Sequence, residues 1–300
     1  MHHDHGHSHG QDRLQADRRA RTVALCLIAA FMVAELVAGI LAGSLALLAD
    51  AGHMLSDAAA LGFALVAAAM AAKPAGGRWT FGFRRLEILA ALANGLLLGL
   101  VAIWIVYAAV RRLVSPTDVA GGVVLGVALA GIAVNLTATV VLSRASRESL
   151  NVEGAFLHVA TDLAAFVATA IAGAIILVTG WDRADPIASL FVAGLMLWAS
   201  YRLVRESTRI FLEVAPREID PDEVGRAILS VPAVVESHDL HVWTVTSGFP
   251  AFSAHILVDA GADCHAARRE IEVMLRERFH LDHTTLQVEH ARPAILRLTR

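Results

Sequence analysis

Only two cysteines occur in 300 residues, Cys26 in an apolar segment and Cys264 in a polar one. No disulfide framework is implied, and neither cysteine has a near neighbour for a thiolate metal site. Charge is scarce as well. Asp, Glu, Lys and Arg make up 18% of the chain and hydrophobic residues 56%, where a soluble domain usually has about 25% and about 45–50%. With a mean hydropathy of +0.59, the balance points to an integral membrane protein. Net charge is only −3, so nucleic acid is not an expected partner. There is no glycine-rich phosphate loop and no H-E-x-x-H. Residues 1–20 have no apolar core, so they do not read as a signal peptide.

What the chain has is histidine, fourteen in all. Five lie in the first nine residues, His2, His3, His5, His7 and His9, with Asp4 among them. The tract reads either as a metal-gathering tail or as a segment that binds metal only incidentally, and no fixed fold is expected of it. Two more histidines lie in apolar segments, and seven follow Ser237.

Six apolar segments fall at about Thr22–Gly43, Leu45–Ala72, Ile88–Val110, Val119–Ser143, Gly154–Gly180 and Ile187–Val204. Each falls at or above the lower limit of the range of about 17–25 residues that crosses a bilayer as a helix. Basic residues near the segment ends are lopsided. Arg13, Arg18, Arg19, Arg21, Lys73, Arg78, Arg84, Arg85, Arg144, Arg147, Arg202, Arg205 and Arg209 fall on one side, and only Arg111, Arg112 and Arg183 on the other. This bias predicts six spans with both termini in the cytoplasm.

After Phe211 the sequence turns mixed. Asp220 and Pro221 open a helix that ends near Ser230. Val234–Val245, Ala251–Val258 and Thr284–Glu289 read as strands, the first with Leu240, Val242 and Thr244 on its core face. Cys264–Phe279 reads as an amphipathic helix. The order α-β-β-α-β suits a small α+β sheet with helices on one face. The expected organisation is a histidine-rich tail (1–20), a membrane domain (21–206) and a soluble domain (207–300).

The second segment holds the chemistry. It carries Asp50, His53 and Asp57 at i, i+3 and i+7, which share one helical face. Ionisable groups at membrane depth are expensive and mark function by default. The fifth segment repeats the His–Asp pair at the same spacing, as His158 and Asp162. One such pair alone reads equally as a hydrogen-bonded structural pair. Two pairs in different spans, packed face to face, offer two imidazoles and two carboxylates, a donor set suited to tetrahedral Zn²⁺. Imidazole also suits Co, Ni and Cu, whereas Mg²⁺ and Ca²⁺ prefer oxygen shells. Asp50 has no counterpart at Gly154 or Ala155 and reads as a support, packing or proton-path residue. Glu35, Asn94 and Asn135 read as hydrogen-bonding partners of neighbouring helices. Metal binding to such a site competes with protons, which is a sufficient basis for metal–proton exchange.

These residues lie in longer motifs: SLALLADAGHMLSDAAAL (44–61), TFGFRRLEILAALANGL (80–96), the His158–Asp162 span, Asp185-Pro186-Ile187-Ala188-Ser189, HDLHVWTVTSG (238–248), AHILVD (254–259) and HTTLQVE (283–289). In them the chain resembles the cation diffusion facilitators, particularly the bacterial zinc/cadmium/cobalt branch. The resemblance implies a polytopic α-helical membrane protein with six transmembrane helices and a C-terminal cytoplasmic α+β ferredoxin-like domain. It further implies a homodimer in the bacterial inner membrane, surrounded by lipid. His53, Asp57, His158 and Asp162 would be the transport ligands, with Zn²⁺ as cargo and protons as counter-ion in alternating access. A regulatory metal in the soluble domain would fall at His238, His255 and Glu289, with His241 and His283 close in the same motifs. His265 and His280 read as ordinary surface or packing residues. Gln287 stands where some relatives carry histidine, and neither the Lys73–Arg85 loop nor the Ser143–Asn151 loop carries the metal-binding residues known in some members. Two rival readings are an intramembrane metal-dependent hydrolase and a membrane-anchored metal sensor.

Overall fold

The computed structural model describes the backbone of residues 27–71, 73–145 and 152–291, with side chains except at 68, 138, 141–145 and 152–159. In chain order the elements are α1 (Leu27–Ala42), α2 (Leu45–Ala71), α3 (Leu86–Val114), α4 (Gly121–Ala145), α5 (Val152–Thr179), α6 (Ala184–Phe211), α7 (Pro221–Leu229), β1 (Val234–Thr246), β2 (Phe249–Val258), α8 (Cys264–Phe279) and β3 (His283–His290).

Among the described residues, four helices are long and apolar enough to cross a membrane: α2, α3, residues Ala160–Thr179 of α5, and α6. Helix α1 and residues Gly121–Thr137 of α4 are apolar but shorter among the described residues. Several helices outrun their apolar stretches. Helix α3 begins with Glu87 in its first turn and ends with Arg111 and Arg112 in its last, charges that suit the two ends of the helix dipole. Helix α6 likewise has Asp185 in its first turn and Arg209 in its last.

The chain divides into two compact units, residues 1–62 with 93–202 and residues 63–92 with 203–300. The first is helical. Its core is a cluster of mostly small side chains, with Leu45 and Ala49 of α2, Ala102 and Ile105 of α3, Ala165 of α5 and Ala193 of α6 among them. Small residues let helix backbones approach closely where the hydrophobic effect cannot drive association. Helices α4 and α5 meet this way: a Cβ on Gly173 would stand 2.6 Å from the backbone nitrogen of Leu125. Large apolar side chains point outward, as with Leu100 (66% exposed) and Tyr107 (60%). Such surfaces suit lipid better than water.

The second unit contains a three-stranded sheet in the order β1-β2-β3, with β1 antiparallel and β3 parallel to β2. Along β2, Phe252, Ala254, Ile256 and Val258 are buried, the period-two pattern of a sheet with one covered face. Helices α7 and α8 supply Val224, Ile228, Ala267, Ile271 and Leu275 to the same core. Asp220 caps α7 by accepting from the Asp222 backbone N–H at 3.0 Å, with Pro221 in the first turn. The expected core face of β1 holds at Val242 and then shifts: Val245, not Thr244, is buried. The pairing is irregular between Thr244 and Thr246, and an extra residue in a strand moves the following side chains to the other face. His280 closes α8 in the left-handed region at φ 56°, its N–H donating to the Arg276 carbonyl at 3.1 Å.

Asp263 caps the start of α8, accepting from the N–H groups of His265 (2.9 Å) and Ala266 (3.1 Å). The Ala266 N–H holds its carboxyl below the ordinary carboxylate range. A lowered folded pKa gives stability that is present above the unfolded value and lost as pH falls through the folded one. Asp263→Ala is therefore expected to lower the unfolding temperature of this unit at neutral pH, and by less in acid. Thermal unfolding of both proteins at two pH values checks this.

The segment between α2 and α3 packs within the same unit. Arg85 pairs with Glu213 at 2.9 Å, the Arg84 guanidinium lies 4.5 Å from the Phe249 ring centroid, and Thr246 Oγ1 donates to Glu87 at 2.9 Å. A loop without metal-binding residues thus has a packing role.

Candidate functional site

Helix α2 sets Asp50, His53 and Asp57 on one face because its residues repeat every 3.6 positions. Helix α5 brings Asp162 to the same place. His53 Nε2 lies 3.4 Å from Asp162 Oδ1 and 3.9 Å from Asp57 Oδ2. A cavity of about 370 Å³ opens here, and Asp50, His53, Asp57, Asn135, Asp162 and Phe166 are among its lining. His53 is buried and the two carboxylates are more open, with side chains 38% (Asp57) and 23% (Asp162) exposed. The remaining member of the predicted quartet, His158, belongs to α5, but its side chain lies outside the described residues, as do His2, His3, His5, His7 and His9.

An imidazole that shares a proton with a carboxylate offers those same atoms to a cation. Among the described residues, no group of three or more His, Cys, Asp or Glu side chains is gathered tightly enough to hold a metal ion.

Asp50 lies one turn before His53 and is buried. Fully buried Glu35 of α1 faces it. The sequence reading placed Glu35 among helix-packing residues, and the neighbour it finds is this carboxylate. Asn94 does bond a neighbouring helix, accepting from Ser56 Oγ at 3.1 Å. Asn135 lines the cavity instead.

In the sheet, His238 and His255 are paired across β1 and β2, and Gln287 is paired with His255 across β2 and β3. The two imidazole centroids stand 5.5 Å apart. Gln287 Nε2 donates to Glu289, so Gln287 engages one of the predicted ligands. His241 joins through a residue that the sequence reading passed over. Asp239 accepts from or shares a proton with His241 Nε2 at 2.9 Å and lies 3.8 Å from His255 Nε2. Hydrogen bonding to His241, and the imidazole charges around it, hold the Asp239 carboxyl below its ordinary range. Asp239 adopts φ 52°, a conformation that Asp tolerates better than most residues. Its place between His238 and Leu240-His241 was the available signal.

His283 stands apart from the other predicted ligands of the sheet. It pairs with Ala251, whereas Glu289 pairs with Leu257 at the far end of the ladder. Six residues of strand span roughly 20 Å. His283 packs instead on Phe249, with centroids 5.3 Å apart, and on Phe81. Nearness within one motif was lost because β3 is extended.

Two family models match the chain. Residues 22–212 match the cation efflux transmembrane domain, and residues 216–291 match the cytoplasmic domain of cation efflux proteins. Zinc transporter ZitB of Escherichia coli K12 is 41% identical over 290 residues, covering 95% of this chain and 92% of the relative. Metal cation efflux system protein CzcD of Cupriavidus metallidurans is 40% identical over 288 residues, covering 95% and 90%. A Bacillus subtilis protein named cadmium, cobalt and zinc/H(+)-K(+) antiporter is 37% identical over 288 residues, covering 95% and 92%.

Proposed function

The chain belongs to the cation diffusion facilitator family, and on that premise we propose that it exports divalent transition-metal ions, Zn²⁺ first, from the cytosol in exchange for protons. Family and relatives are metal cation transporters rather than enzymes, which removes the hydrolase reading. Cd²⁺ and Co²⁺ are further candidate cargoes, since imidazole accepts several such ions and two relatives are named for cadmium, cobalt or general cation efflux.

The observation that carries the reading is His53 facing Asp162 across α2 and α5 at 3.4 Å, in a cavity that also takes in Asp57. Our assignment is that His53, Asp57, His158 and Asp162 bind the travelling ion and that protons take their place when it leaves. Asp50, with Glu35 beside it, serves as support and path for the protons. Helices α1 and α4 complete six spans, with both termini cytoplasmic in the bacterial inner membrane. The soluble unit completes a ferredoxin-like fold and pairs two copies of the chain, in keeping with the match to a family domain named for zinc-transporter dimers. His238, His241, His255 and Glu289 are the candidate regulatory ligands there, joined by Asp239.

Expression in a zinc-sensitive bacterial strain tests the function. We expect less accumulated zinc and growth at higher external zinc. Unchanged accumulation, with the protein present in the membrane, would count against export. Removing residues 1–12 is expected to lower the apparent zinc affinity at most, and loss of transport on removal would make the histidine tract more than an accessory.

A further inference from the structure

The start of a helix leaves four backbone N–H groups without partners inside it. In α2 all four find an acceptor, and two find the same carboxylate from another helix. Leu45 N donates to Asp185 Oδ2 at 2.8 Å and Ala46 N to Asp185 Oδ1 at 3.3 Å. Leu47 N donates to Ser44 Oγ at 3.2 Å, and the N–H of Ser44 itself, the capping residue, donates to the Gly39 carbonyl at 3.0 Å. Ser44 Oγ in turn donates to Asp185 Oδ1 at 2.5 Å. Asp185 belongs to the first turn of α6, 140 residues away from Leu45, and is fully buried.

A third helix is tied to the same point. Arg112, in the last turn of α3, donates through Nη1 to the Gly43 carbonyl at 2.5 Å and stands 3.6 Å from Asp185 Oδ2. The carboxylate therefore meets the positive end of the α2 dipole and a guanidinium together. Buried and multiply bonded, it fixes where α2 begins relative to α6. His53 lies eight residues further along, roughly 12 Å at 1.5 Å per residue, on the same continuous helix with no proline between. An axial slip or tilt of α2 at Leu45 is carried along the helix to His53 and Asp57.

Resting on the transport reading above, we propose that Asp185 is a positioning residue for transport. It caps α2 from α6 and so holds the His53–Asp57 pair against Asp162.

The test uses the full chain reconstituted in vesicles, with zinc flux measured across zinc concentrations and thermal unfolding measured in detergent. Asp185→Asn keeps one acceptor oxygen but loses the charge and the second acceptor. Its half-saturating zinc concentration is expected to rise about tenfold or more, the range seen when partners that orient metal ligands are removed. A purely structural role would lower the unfolding temperature without that shift. Ser44→Ala should give a smaller rise, and should add nothing in the Asp185→Asn background because both act through one cap. If Asp185→Asn does not fold, Ser44→Ala decides: a wild-type zinc dependence there overturns the proposal. A wild-type zinc dependence in folded Asp185→Asn also overturns it. Asp57→Ala separates the two levels. Lost flux in Asp57→Ala beside wild-type behaviour in Asp185→Asn defeats this inference alone, while retained flux in Asp57→Ala defeats the site on which it rests.

Discussion

Asp162→Ala is expected to stop zinc transport while leaving the protein folded. Removing a partner that only orients a metal ligand typically costs 10–100-fold in affinity or activity, so removing a ligand should cost on the order of 100-fold or more. Its side chain is 23% exposed and faces the imidazole of His53 at 3.4 Å. An imidazole that loses its carboxylate can remain neutral, which avoids leaving a bare buried charge. Asp57→Ala should behave alike, since Asp57 is the more open of the two carboxylates. Flux in vesicles, beside the melting profile of each protein, separates a transport defect from a folding defect. A folded Asp162→Ala protein that moves zinc at the wild-type rate would remove Asp162 from the site.

Gly173→Leu is expected to act on the same site from a distance. Helix α5 carries Asp162 and lies against α4 with no room for a side chain at position 173. A Cβ there would meet Leu125 N at 2.6 Å, Leu125 Cα at 3.0 Å and the Gly121 carbonyl at 3.1 Å. These are backbone atoms, so no rotamer change relieves the clash, and the helices must separate. Overpacking usually costs about 1–3 kcal/mol, and this position should reach at least that. Asp162 lies eleven residues, or about three turns, along α5, so the displacement also reaches the cavity. We expect a lower unfolding temperature and reduced flux together, with Gly173→Ala intermediate. Wild-type stability in Gly173→Leu would mean that the two helices are not held this closely.

The parts of the fold that were legible beforehand are those set by local rules. Asp220-Pro221 marked the start of α7, and the amphipathic run Cys264–Phe279 became α8 with those bounds. The i, i+4 spacing of His53 and Asp57 needed only helical geometry, and the repeat of that spacing at His158 and Asp162 singled out α5 as the second contributor. The rest depended on partners distant in sequence. Asp185 stood in a recognisable motif, but nothing local says that it would cap a helix starting at Leu45. Glu35 could not be matched to Asp50 without knowing how α1 packs. In the sheet, the irregular pairing near Thr246 shifted burial from Thr244 to Val245, and the direction of β3 carried His283 away from Glu289. Asp239 was not legible because its approach to His241 and His255 goes with a left-handed backbone at one residue.

We propose that one site in the membrane carries zinc one way and protons the other. The most direct measurement is reconstitution of the full chain in sealed vesicles holding a zinc dye and a pH dye. On addition of zinc to one side, we expect zinc entry coupled to proton movement in the opposite direction, with both signals lost in Asp57→Ala and Asp162→Ala. Zinc entry without any proton signal, or both signals unchanged in the two variants, would contradict it.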